Sequence, residues 1–217
     1  MGTDERTAER TFVTRADKVS ITDKRLLRGA RAREIVLRRA VDIASLDGLD
    51  DVSFGRLATD TGMSKAGIQT LFRSKEVLQL GTIDYARTMF IDAVVRPARS
   101  AAPGVERLRS LIEHWIDYAK TPLFEGGCFQ VANLARFDSK PGAVRDALFR
   151  TQQQWLETIE KELRNAVAAQ EIADLDIDLA VFQIDSVLCA ANTALRLGDE
   201  EVVAKVRRTV GDLLKTP

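Results

Sequence analysis

Residues 53–76 read SFGRLATDTGMSKAGIQTLFRSKE, and each of the three serines in this stretch stands where a helix would start. Ser53 suits the N-cap of a short helix over 54–61 and Ser64 that of a second over 65–72. Ser74 suits a third, with Glu76 in its first turn, where an acidic side chain complements the helix dipole. Gly62 separates the first two, and a turn between helices often needs the positive φ that glycine adopts without steric cost. Ala58 is small where two helices must approach closely. Ile68 can point back into the wedge to meet Leu57, with Leu71 or Phe72 closing a small core one turn later. This spacing specifies a helix-turn-helix. The alternative is an ordinary helical hairpin, since alanine and glycine are common residues.

The pattern extends in both directions as helices. Upstream, Val36, Leu37, Ala40, Val41 and Ala44 share one face of a helix over Arg31 to Asp47, stopped by Gly48. Downstream, the helix opening after Ser74 is expected to run to about Val95, before Pro97. Further helices are expected near 104–120, 128–137, 143–170, 176–197 and 199–215, with breaks at Pro103-Gly104, Pro122, Gly126-Gly127 and Pro141-Gly142. No stretch of four or more strictly alternating β-branched residues is present, so the chain reads as all α. Residues 1–24 are polar and aperiodic and are expected to form a flexible N-terminal arm. After the arm, a helix-turn-helix unit is expected over 25–75 and a larger helical unit over 76–217.

Composition excludes several classes. The chain has 217 residues, 45% of them apolar and 29% charged, a balance that argues against disorder and disulfide-rich secreted scaffolds. No apolar run is read as approaching the roughly 18 residues of a membrane span. The N-terminus MGTDERTAER carries no hydrophobic stretch of the signal-peptide kind, so no membrane partner and a cytoplasmic location are expected. Cys128 and Cys189 match neither metal-ligand spacing nor a disulfide framework and read as small buried hydrophobes. With a single histidine, His114, no metal site, cofactor or catalytic constellation is expected. Although the formal net charge is zero, residues 24–75 carry eleven Lys/Arg against six Asp/Glu, and residues 76–217 seventeen against twenty-one. A basic N-terminal third on a mildly acidic remainder suits phosphate contact at one end only.

The quoted segment resembles the TetR-type (tetracycline-repressor-like) transcriptional regulators, most clearly from Val36 to Leu80. It matches in the glycine ending the first helix (Gly48), the serine opening the second (Ser53), the Leu57-Ala58 pair and the Gly62-Met63-Ser64-Lys65 turn. Phe72 closing the recognition helix before Ser74-Lys75-Glu76 completes the likeness. Where the family often has Gly-Thr-Leu-Tyr, this chain has Ala66-Gly67-Ile68-Gln69, so the usual phosphate-contacting tyrosine has no counterpart, and Gln69 could instead read adenine through its amide or bond a phosphate. The resemblance implies that helix 65–72 enters the major groove with Ile68 and Phe72 inward and Lys65, Ala66, Gln69 and Thr70 outward. Gln69 and Thr70 are then candidates for base edges, and Ser53, Ser64, Lys65 and Lys75 for phosphates. Gly67 would permit close approach to DNA. Arg25, Arg28, Arg31 and Arg33 either contact DNA, by extending the phosphate contacts or reaching a minor groove, or form a solvated face.

A looser resemblance covers the remainder, where Gly126-Gly127-Cys128-Phe129, Asp138, Pro141-Gly142 and Val144-Arg145 match a subset of the family. By analogy the middle helices enclose a pocket for a small, largely apolar effector. Its candidate lining is Phe90, Leu111, Trp115 and Tyr118, with Phe129, Asn133, Phe137 and Trp155, against the alternative of plain core. A homodimer through helices 143–170 and 176–197 would set two recognition helices about 34 Å apart on a palindromic operator. Apolar faces on Leu148, Trp155, Leu156, Ile159 and Leu163, and on Leu179, Phe182, Ile184, Val187, Leu188, Ala191 and Leu195, support such a pairing. They would equally serve an intramolecular core. The function expected from the resemblance is a ligand-responsive regulator, and more specifically a repressor released by its effector. The competing reading is an apolar-ligand carrier or small enzyme that kept the helix pair as scaffold.

Overall fold

The computed structural model describes residues 15–215. Nine helices and no strand occur among the described residues: α1 Arg15–Leu46, α2 Phe54–Thr61, α3 Lys65–Phe72, α4 Lys75–Phe90, α5 Val105–Lys120, α6 Phe129–Phe137, α7 Ala143–Ala168, α8 Ile177–Arg196 and α9 Val202–Leu213. The all-α class with an N-terminal helix-turn-helix joined to a larger helical part is the one expected. α2 and α3 pack on each other and on α1, while α1 also packs along α4 and α6, so the head and the larger part share the long first helix. One continuous core runs from Val36 through to Leu214.

Two helices exceed their expected lengths. α1 begins at Arg15 rather than Arg31, so the expected arm over 1–24 is helical from residue 15, and residues 1–14 lie outside the described ones. Where this added stretch meets the expected helix, Leu26 and Leu27 are 66% and 69% exposed, so these apolar residues do not continue the buried stripe that marks the helix from Val36 on. Likewise α4 does not stop before Pro97. It passes through a π-helical turn, Ile91–Val95, into Arg96–Ala98, and the Arg96 N–H bonds the carbonyl of Ile91 five residues back. Proline has no N–H for the ordinary four-residue bond, and the widened turn lets the helix continue past it.

α8 corrects a second expectation. By length and composition it is apolar enough to cross a membrane. Its Ile184, Leu188 and Ala191 are buried in the core, whereas Leu179 and Phe182 face outward.

Candidate functional site

The head is built by its caps. Ser53 Oγ accepts the Arg56 N–H at 3.2 Å and Ser64 Oγ the Gly67 N–H at 3.1 Å, each satisfying a donor that the first helical turn leaves free. Gly62 turns the chain between them at φ 69°. Leu57, Ile68 and Phe72 meet in the wedge with no exposed surface. The opposite side of α3 therefore faces solvent, and Lys65, Ala66, Gln69 and Thr70 are all exposed. Together they form one outward surface on a helix whose inner side is locked.

Several candidate residues have a narrower role than their position in sequence implies. Thr70 Oγ1 donates to the Ala66 carbonyl at 2.9 Å, so the hydroxyl offers a base only its acceptor capacity and its methyl group. A Cβ on Gly67 would lie 3.0 Å from Ser64 Oγ, which ties this glycine to the cap as well as to the surface. Lys75 Nζ donates to the Asp50 carbonyl at 2.6 Å and braces the connection between α1 and α2. Arg33 fits neither of the roles set out for it. Its guanidinium lies 4.3 Å over the Phe72 ring and donates to the Leu71 carbonyl at 3.1 Å, clamping the end of the recognition helix. Arg28 and Arg31 are exposed, and the side chain of Arg25 lies outside the described residues.

A buried weld joins the head to the larger part. Asn133, in the middle of α6, accepts the Leu49 N–H at 2.8 Å and donates to the carbonyls of Ala44 at 3.0 Å and Phe129 at 2.8 Å. Gln79 of α4 donates to the Leu49 carbonyl at 2.9 Å from the other side. Gly126 presses on the last turn of α1: its N–H bonds Ser45 Oγ at 2.9 Å, and a Cβ there would fall 2.1 Å from the Ser45 carbonyl oxygen. Arg136 closes the contact by donating to the Asp47 carbonyl. Asn133 and Phe137 thus lie away from the cavity described next. An amide in the middle of a helix carries no sequence sign that it will face α1 instead.

The cavity, about 450 Å³, lies among α4, α5, α6, α7 and α8. Phe90, Leu111, Trp115, Tyr118, Phe129 and Trp155 are on its wall, six of the eight candidates. Phe90 meets Tyr118 and Trp155 edge-on, each at 5.3 Å between ring centroids. Polar groups that sequence reading missed share the wall, among them Gln130, Gln152, Asp185 and, toward the outside, Arg87 and Lys161. Their spacing within polar helix faces resembles any solvated surface, so only the fold singles them out. Cys128 and Cys189 border the same space. Burial pushes both thiols up, Cys189 to about 12, which keeps them protonated and inert near neutral pH. Burial likewise raises the Asp185 carboxyl, against hydrogen bonds from Gln152 and Trp155 that pull it down. Among the described residues no group of three or more His, Cys, Asp or Glu side chains is placed to hold a metal ion.

Residues 104–210 match the family described as the tetracyclin repressor-like C-terminal domain. The chain belongs to the TetR family. It is accordingly a TetR-family transcriptional regulator, a DNA-binding class without enzymatic activity. Solved structures share the fold along most of the chain. A TetR regulator from Chloroflexus aurantiacus is 23% identical, with a TM-score of 0.76 over 86% of this chain and 94% of that one. AibR, in complex with isovaleryl coenzyme A and operator DNA, is 19% identical, with a TM-score of 0.69 over 84% and 97%. A Saccharomonospora viridis protein described as a transcriptional regulator, in complex with choline, is 20% identical, with a TM-score of 0.71 over 84% and 95%. Among curated proteins no sequence matches the chain.

Proposed function

We propose that this TetR-family chain is a repressor that binds a palindromic operator as a homodimer and releases it when a small molecule with an apolar body enters the cavity. Residues 25–75 are the DNA-binding unit and 76–217 the regulatory and dimerisation unit, acting in the cytoplasm. The observation that carries this reading is the continuity of α4: it starts three residues after the recognition helix and supplies Phe90 to the cavity wall. A ligand that shifts α4 therefore changes the spacing of two heads that must engage together. The AibR and choline complexes of structurally similar proteins support ligand control.

Exposed apolar groups support the dimer. Leu148, Ile159, Leu163, Ile184 and Leu188 are consumed by the intramolecular core. Phe149 on α7 and Leu179 and Phe182 on α8 remain 56%, 51% and 68% exposed, which leaves a second apolar face on the same two helices.

Gel-shift titration of the purified protein against DNA flanking its own gene, at two salt concentrations, tests the DNA-binding half. Retention that weakens steeply with salt is expected, and uniform failure to retain any fragment overturns the reading.

A further inference from the structure

We infer that the cavity takes a protonated amine carried on an aromatic or apolar body; this rests on the ligand-responsive reading above. The first observation is Asp185. Its carboxylate is on the cavity wall, partly buried, accepts Gln152 Nε2 at 2.9 Å and the Trp155 side chain, and forms no ion pair among the described residues. A carboxylate drawn out of water is ordinarily paired, because the lost hydration is costly. The second is Gln130. Its Nε2 donates to the Leu148 carbonyl at 2.7 Å, which leaves Oε1 buried with no partner on the same wall. Buried acceptors in folded proteins nearly always find a donor.

Gln130 Oε1 thus lacks a donor and Asp185 a counter-charge, and the wall that carries both is aromatic. Phe90, Tyr118 and Trp155 present π-electron density, which attracts a cation and repels an anion. An N–H-bearing cation satisfies all three features together: charge at Asp185, a hydrogen bond to Gln130, and ring contact for the rest of the molecule.

The basic side chains of the wall do not reverse this preference. Arg107 donates to the Ala101 carbonyl at 2.9 Å and lies 3.7 Å from Glu162, while Arg87 donates to Gln154 at 2.7 Å. Arg99 and Lys161 are exposed, where solvent and salt screen their charges. Gln130 lies three residues before Asn133 on α6, so a ligand held by Gln130 bears on the helix that grips Leu49.

Both tryptophans of the chain, Trp115 and Trp155, are on the cavity wall, so intrinsic fluorescence reports occupancy directly. Three probes share one body: 2-naphthylmethylammonium, 2-naphthalenemethanol and 2-naphthoate. With the full chain, the ammonium is expected to bind at least tenfold more tightly than the other two. Asp185→Asn should lose at least tenfold affinity for the ammonium and leave the alcohol unchanged, which also shows that the variant cavity is intact. Equal or tighter binding of the naphthoate, an unchanged ammonium affinity in Asp185→Asn, or no quenching by the ammonium overturns the inference. Repeating the operator titration with bound ammonium separates the two readings. Binding that leaves DNA affinity unchanged removes ligand control and keeps the ligand class, whereas release by naphthoate alone keeps control and removes the class.

Discussion

Asn133 and Leu49 lie 84 residues apart, and a buried hydrogen bond of 2.8 Å from the Leu49 N–H to the Asn133 amide oxygen ties the head to the regulatory helices. The same amide nitrogen serves two carbonyls, those of Ala44 and Phe129, so the side chain is saturated by partners on both sides of the joint.

Asn133→Ala leaves the Leu49 N–H without its partner in a dry site, while the Ala44 carbonyl keeps the Gly48 N–H. The expected loss is about 1–3 kcal/mol for that one unsatisfied donor, read as a lower urea midpoint with an unchanged slope. Asn133→Asp keeps the acceptor for Leu49 but turns an oxygen toward two carbonyl oxygens, and should be as damaging. A loss below about 1 kcal/mol in both variants would show that the bond does not hold the joint.

Lys65 and Gln69 share the exposed side of α3 and should fail in different ways. Lys65→Ala removes a charge at a capped helix start, so binding weakens to a similar degree on all sequences and the salt slope falls by about 1. Gln69→Ala removes an amide able to pair with an adenine edge, so discrimination at one operator position relaxes by about 1–3 kcal/mol while the slope persists. Competition titrations on an operator and its point variants, at two salt concentrations, distinguish the two. Identical effects of both substitutions would contradict the division of roles.

The head was legible because its signals are local. Ser53, Gly62, Ser64 and Ser74 act within three or four residues of themselves, and all three serine caps and the left-handed glycine form as the sequence implies. The aromatic cavity wall was legible because large rings spaced along amphipathic helices must meet somewhere inside. The roles of Arg33 and Asn133 are not legible because their partners lie on other elements, at separations of 38 and 84 residues. No periodicity encodes which helix a polar side chain will meet. For the same reason Asp185 and Gln130 stand out only once α6, α7 and α8 enclose them.

Gly126 has no room for a side chain. A Cβ there falls 2.1 Å from the carbonyl oxygen and 2.2 Å from the carbonyl carbon of Ser45, both backbone atoms of a packed helix. Gly126→Ala must push the 121–128 loop off α1, at about 3 kcal/mol or more, near the upper end of overpacking costs. Gly62→Ala provides the contrast. Its positive φ is strained for alanine, but nothing lies within 4 Å of the added carbon, so about 1 kcal/mol is expected. Thermal unfolding of both variants decides: a Gly126→Ala protein that melts no lower than Gly62→Ala would mean that the loop yields without disturbing α1.

Asp185 should make the empty protein less stable as pH rises. Its folded-state pKa is raised, chiefly by burial, so between the unfolded carboxylate value and that raised value the folded chain holds the proton more tightly. Stability then falls with increasing pH across this window, the reverse of a salt-bridged acid, and the deficit persists at neutral pH. Asp185→Asn keeps an acceptor for Gln152 and removes the charge, so it should flatten that fall and raise the neutral-pH melting temperature. The rise is about 1–3 °C, since 1 kcal/mol corresponds to roughly 2–4 °C at this size and the partly exposed carboxylate is screened by solvent. Melting curves of both proteins from pH 4 to 8 are the measurement. If the parent and the variant keep the same pH dependence, the Asp185 carboxylate is adequately solvated without a ligand, and its cost to the fold is nil.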